Sequence, residues 1–160
     1  MKQIISLVLF VFILLSQNSF AAFNQAPDIN LPGVNGNVQL ESLKGKVVYL
    51  DFWASWCLPC KKSFPWMYDI KQSYADQGFE VLAINLDKDR KLANEFLEQM
   101  KVNFLIAFDE SGKSAAEYKL KGMPSSYLIG RDGKVYASHI GFREKDKAQL
   151  EQAIKALLDK

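Results

Sequence analysis

The chain has 160 residues, with two cysteines, one histidine and 20 basic against 18 acidic side chains. That length suits one domain, two cysteines cannot staple a disulfide-rich scaffold or fill a four-cysteine zinc site, and a formal charge of +2 is too small to mark a nucleic-acid binder. At 49% hydrophobic and 24% charged residues the composition is that of a compact globular protein, not a disordered one.

Residues 1–21 read as a cleaved export signal. Lys2 opens a short basic start, Ile4 to Leu15 is apolar apart from Ser6, and Ser19-Phe20-Ala21 offers small residues for cleavage after Ala21. A membrane anchor needs about 20 apolar residues, and this run is shorter. Residues 22–160 are expected to form one domain in an exported, periplasmic compartment, where thiols tend to oxidise. A lead-in with two prolines, Phe23 to Pro32, comes first. Asn35-Gly36 then signals a small hairpin.

Val47 to Trp53 (VVYLDFW) is apolar apart from Asp51 and predicts a central strand covered on both faces. Cys57 to Tyr74 predicts a long helix, with Phe64, Met67, Tyr68 and Tyr74 toward the sheet and Pro65 inside it. Phe79 to Leu86 predicts a second buried strand. Asp87 to Met100 predicts a helix with Leu92, Phe96 and Leu97 on its apolar side. Phe104 to Phe108 predicts a third strand, and Ser114 to Tyr118 a short helix. Ser125 to Ile129, a Gly130–Gly133 turn and Lys134 to Ile140 read as an antiparallel hairpin. Lys145 to Leu158 closes the chain as a helix, with Leu150, Ile154, Leu157 and Leu158 available for burial. The β-α-β part implies parallel pairing through right-handed crossovers and the hairpin adds antiparallel edges. The expected class is α/β, a mixed sheet with helices on both faces.

The chemistry concentrates at Trp56-Cys57-Leu58-Pro59-Cys60, where the two cysteines stand three positions apart at a strand-to-helix junction. Unsatisfied N–H groups and the helix dipole stabilise a thiolate at Cys57. Cys60, one turn on, is placed to close a disulfide. Pro59 loses no intrahelical bond in the first turn. An exposed Cys57 thiolate would attack a substrate disulfide, and Cys60 would resolve the mixed disulfide. A purely structural disulfide gains little from so short a loop, and a metal site lacks ligands, because beyond the cysteines only His139 and scattered carboxylates remain. Asp51, in the strand that feeds this loop, would have its pKa raised by burial and could relay a proton to or from Cys60. The other reading of Asp51 is an aspartate at a bend. Trp56 is expected to shield the disulfide and contact a partner, and Trp53 to lie in the core. His139 is expected to be an ordinary packed or surface residue.

Residues 52–65, FWASWCLPCKKSFP, resemble the active-site signature of thioredoxin-like proteins. LKGKVVYLDFWASWC at 43–57 and GMPSSYLIGRDGKV at 122–135 point to the TlpA/ResA-type exported branch, which includes cytochrome c maturation thioredoxins. The resemblance implies a thioredoxin fold with an N-terminal β extension and an inserted helix-strand element. It implies Cys57 as nucleophile, Cys60 as resolving cysteine, and Pro124 as a cis-proline against the disulfide, with Met123 offering backbone contacts to substrate. Pro65 matches the helix-kinking proline and Asp51 the buried aspartate of thioredoxin. Three departures stand out. Ser63 sits where several relatives carry glutamate, Ala83 where thioredoxin has lysine near the aspartate, and Tyr118 to Gly122 is basic where the maturation branch is often acidic.

The expected activity is that of an exported reductase of protein disulfides, with Trp56, Leu58, Pro59, Met123 and Pro124 touching substrate, and the resemblance implies cytochrome c maturation as one setting for it. Its expected electron donor is a membrane thiol transporter. It is expected to be a monomer and to use no cofactor, metal or nucleic acid. The alternatives are a disulfide-forming oxidant or isomerase, a peroxide or antioxidant reductase, and a redox-inert binding module.

Overall fold

The computed structural model describes residues 25–160. The expected leader and its cleavage point lie outside the described residues. Seven strands form one sheet: β1 (Asn30–Gly33), β2 (Gly36–Gln39), β3 (Val47–Trp53), β4 (Phe79–Asn85), β5 (Leu105–Phe108), β6 (Ser125–Ile129) and β7 (Val135–Ile140). Their spatial order is β2-β1-β5-β4-β3-β6-β7. The helices are α1 (Leu58–Tyr74), α2 (Arg90–Glu98), α3 (Lys113–Glu117) and α4 (Lys147–Leu158).

Every residue of β3 is buried, and so is every residue of β4. Both strands run inside the sheet, so both faces of each must be apolar. Side chains alternate across a strand. Val47, Tyr49 and Trp53 therefore face one core layer, and Val48, Leu50 and Phe52 the other. The first layer is built with α1, α2 and α4, through residues such as Phe64, Met67, Phe96 and Ile154. The second is closed by α3, by Ile29 of the lead-in and by a 3₁₀ turn at Leu40–Leu43. Trp53, Phe64 and Phe96 meet with ring centroids 4.8 to 5.0 Å apart.

β3 pairs β4 and β4 pairs β5 in parallel, whereas β6 and β7 add antiparallel strands. The expected N-terminal hairpin exists, at one edge of the sheet. Its strand β1 pairs antiparallel with β5, so the hairpin extends the main sheet. Leu92, expected on the same helical side as Phe96 and Leu97, is not buried with them. The stripe on α2 is centred on Ala93 and Phe96, with Leu97 and Met100 packed beside them, and Leu92 at its edge stays exposed. After α1, Gly78 ends the following 3₁₀ turn at φ 78°, a left-handed conformation that glycine adopts without strain.

The register gathers the site. Trp53 lies opposite Asn85, Asn85 opposite Phe108, Phe52 opposite Ser125, and Ser125 opposite Ile140. The segments at 54–57, 86–89, 119–124 and 141–143 therefore emerge at one end of the sheet.

Candidate active site

Beyond Trp53 the chain leaves β3 through a turn closed by the Cys57 N–H donating to the Ala54 carbonyl at 3.0 Å. Cys57 then serves as the N-cap of α1, with extended backbone, and its sulfur accepts from the Cys60 N–H at 3.3 Å. That donor belongs to the first helical turn, which has no carbonyl of its own to bond. The same N–H and the helix dipole would favour a thiolate on Cys57. Pro59 stands in that first turn, where its missing donor costs little.

Cys57 and Cys60 are joined in a disulfide, with S–S 2.08 Å and Cα atoms 5.3 Å apart. The structure corrects the expected exposure of Cys57. Only 5% of it is accessible, and Cys60 is wholly sealed. The solvent-facing residues are its neighbours: Trp56 is 68% exposed, Leu58 75%, and Pro59 is exposed beside them. Trp53 is fully buried, so the two tryptophans divide into core and rim. Trp66, on which the sequence is silent, is buried between Tyr49 and Phe142.

The Met123–Pro124 peptide bond is cis. Pro124 is buried at the start of β6 and its carbonyl accepts from the Gly141 N–H at 2.8 Å. Met123 is half-buried against the core layer that contains Cys57 and Cys60. Pro65 lies inside α1 on its exposed side. His139 faces Asp146, with Nε2 3.3 Å from Oδ2.

Asp51 is 1% exposed, and among the described residues its Oδ2 has no hydrogen-bond partner. By strand alternation it projects on the face of Tyr49 and Trp53, into the layer that holds Cys60. Its cross-strand neighbours are Ala83 and Ser126, so no lysine stands at the paired position on β4. Burial alone pushes its carboxyl well above the usual carboxylate range. Tyr49 is also pushed up, first by burial and then by the Asp51 charge. Ser63, in place of a glutamate, is buried and donates its Oγ–H to the Cys60 carbonyl at 2.9 Å.

Residues 21–154 match the family model described as Redoxin. The chain belongs to the redoxin family. It is 36% identical over 128 residues to the thiol-disulfide oxidoreductase ResA of Bacillus cereus, covering 79% of this chain and 73% of the relative. A Chlorobium tepidum crystal structure carrying the name thiol:disulfide interchange protein DsbE shares 51% identity and a TM-score of 0.83, over 84% of this chain and 96% of that one. A Bacteroides thetaiotaomicron solution structure, carrying the name protein disulfide isomerase, shares 30% identity and a TM-score of 0.77, over 86% and 89%. This redoxin is an enzyme, a thiol–disulfide oxidoreductase of the ResA/DsbE type with a thioredoxin fold. Family membership implies protein substrates.

The redoxin site also contains residues that sequence reasoning passed over. Ile140, 56% exposed at the end of β7, stands next to Gly122 of the cis-proline segment. Asp87, just after β4, bonds back to Ser55 in the active-site turn. Only the strand register brings either one to the disulfide end of the sheet. The one local hint was Asp87 itself, a charge directly behind an apolar strand.

Proposed function

We propose that this redoxin is an exported reductase of protein disulfides, with Cys57 as nucleophile, Cys60 as resolving cysteine and Asp51 as proton relay. The observation that carries the reading is the asymmetry of the pair: Cys57, at the helix N-cap beside the exposed Trp56 and Leu58, keeps 5% of its surface accessible, while Cys60 is sealed in the layer into which Asp51 projects. The Cys57 thiolate attacks one sulfur of a substrate disulfide. A mixed disulfide forms and the other substrate sulfur leaves as a thiolate. Asp51, as carboxylate, takes the Cys60 proton, and the Cys60 thiolate attacks the Cys57 sulfur. The second substrate sulfur leaves, the Cys57–Cys60 disulfide closes, and the proton passes to a leaving thiolate or to solvent. A base with a raised pKa is better matched to a thiol than an ordinary carboxylate. Trp56, Leu58 and Pro59 supply an exposed apolar rim for an unfolded or extended substrate segment, with Met123 and Pro124 on its other side.

Reducing work in an oxidising compartment needs electrons from elsewhere. A membrane thiol transporter is the donor this reading assigns, and a protein disulfide reduced during cytochrome c maturation is the substrate it takes from the ResA-type likeness. Direction is tested by equilibrating Cys57–Cys60 with glutathione or dithiothreitol redox buffers. A potential near that of thioredoxin, about −270 mV, supports a reductase. A potential near about −120 mV would make it a disulfide-forming oxidant and overturn the reading.

A further inference from the structure

Asp87 lies in the connection from β4 to α2 and is only 2% exposed. Its carboxylate collects three donors. Oδ2 accepts from the Ser55 N–H at 2.8 Å and from the Asn85 side-chain amide at 2.7 Å, and Oδ1 accepts from the Ser55 hydroxyl at 2.9 Å. The Asp87 N–H in turn donates to the Asn85 side-chain carbonyl at 3.0 Å. One buried carboxylate thus ties the end of β4 to the residue two positions before Cys57.

Burying a carboxylate costs free energy, and an apolar side chain would fill the space without that cost. The arrangement makes sense where geometry matters. The β3 ladder ends at Trp53, and between there and the helix the turn has only the Cys57-to-Ala54 bond within itself. Ser55 would otherwise be free to pivot, and Cys57 with it. Charge-assisted bonds are the stronger kind and are directional.

We infer that Asp87 is a positioning residue of the redox centre, holding the Ala54–Cys57 turn through Ser55 so that the Cys57 sulfur stays aligned with the Cys60 N–H. The inference rests on Cys57 being the attacking cysteine. A loosened turn moves the sulfur off the helix terminus and weakens thiolate stabilisation there. The carboxylate is suited to replacement by an amide. An asparagine oxygen can accept both bonds now made by Oδ2, and its NH₂ can donate to the Ser55 oxygen.

The test is the pH dependence of iodoacetamide alkylation of the reduced full chain, with the labelled cysteine located by mass mapping. Asp87→Ala is expected to label at Cys57 about two- to tenfold more slowly near neutral pH, the range set by one or a few lost hydrogen bonds, with the profile's midpoint moved to higher pH. Asp87→Asn is expected to restore the wild-type profile. If Asp87→Ala does not fold, Ser55→Ala, which removes one of the three donors, should move the midpoint the same way by less. A wild-type profile in Asp87→Ala, or no shift in Ser55→Ala, overturns the inference. So does Asp87→Asn behaving like Asp87→Ala, which would make charge and not the tether decisive. Labelling of the wild type at Cys60 would overturn the nucleophile assignment instead.

Discussion

Replacing Asp51 by asparagine should stabilise the oxidised protein, increasingly so as pH rises. Asp51 is 1% exposed and, among the described residues, has an oxygen without a hydrogen-bond partner, so burial raises its carboxyl in the folded state. In the unfolded chain an aspartate titrates near about 3.9. Between that value and the raised folded value, the native state holds a proton that the unfolded state has lost. Stability therefore falls as pH increases through this window, the reverse of a salt-bridged aspartate. One proton corresponds to a slope of about 1.4 kcal/mol per pH unit. Below about pH 4 the two proteins should agree apart from the constant effect of the amide. Above it the advantage of Asp51→Asn should grow at that slope, and it should level off once Asp51 ionises in the native state. Denaturant unfolding of both proteins in parallel, at half-unit pH steps, gives the difference curve and cancels every group they share. The plateau pH reports the native titration of Asp51. Parallel stability curves across the whole range would refute the reasoning, because they would mean that Asp51 titrates alike in both states.

Cys60→Ala should accumulate mixed disulfides with substrate proteins on non-reducing gels, whereas Cys57→Ala should form none; adducts in the second variant would reverse the roles. Trp56→Ala should change stability by no more than about 0.5 kcal/mol, as an exposed position, yet slow the reduction of a protein disulfide while sparing that of a small-molecule disulfide, measured by stopped-flow fluorescence. Trp53→Ala, in the aromatic cluster with Phe64 and Phe96, should cost about 3–5 kcal/mol in urea unfolding. An Asp51→Asn variant should also slow release of the mixed disulfide and flatten its pH dependence, and unchanged kinetics across pH would remove Asp51 from the mechanism.

Local pattern carried much of this protein. VVYLDFW and FEVLAIN are apolar on both faces, and a strand of that kind has to lie inside a covered sheet. The spacing of Cys57 and Cys60 at the start of a helix is short-range information, and so is the first-turn proline between them. What local pattern carried less well was exposure. Leu92 satisfies a helical apolar spacing but falls at the edge of the stripe that α2 presents. Cys57 begins a helix yet is nearly covered, because accessibility depends on what lies across the sheet end. The N-terminal hairpin is legible in Asn35-Gly36, but its place in the sheet is not, since its pairing with β5 joins residues more than seventy positions apart.

The sequence by itself determined the redox pair and the strands that bury it, because each follows from spacing and periodicity within a few turns of chain, while the thioredoxin-like architecture was implied by the resemblance carried by residues 52–65 and 122–135. Only the tertiary structure decided which charged groups serve the pair. Asp51 stands with an unpartnered oxygen because Ala83 and Ser126 are its register neighbours. Asp87 reaches Ser55 across 32 residues because β3 and β4 are parallel and end side by side. The cis-proline segment and Ile140 arrive from the last hairpin by the same means. Hydrophobic periodicity is written locally, but the environment of a carboxylate is set by strands far away in the chain.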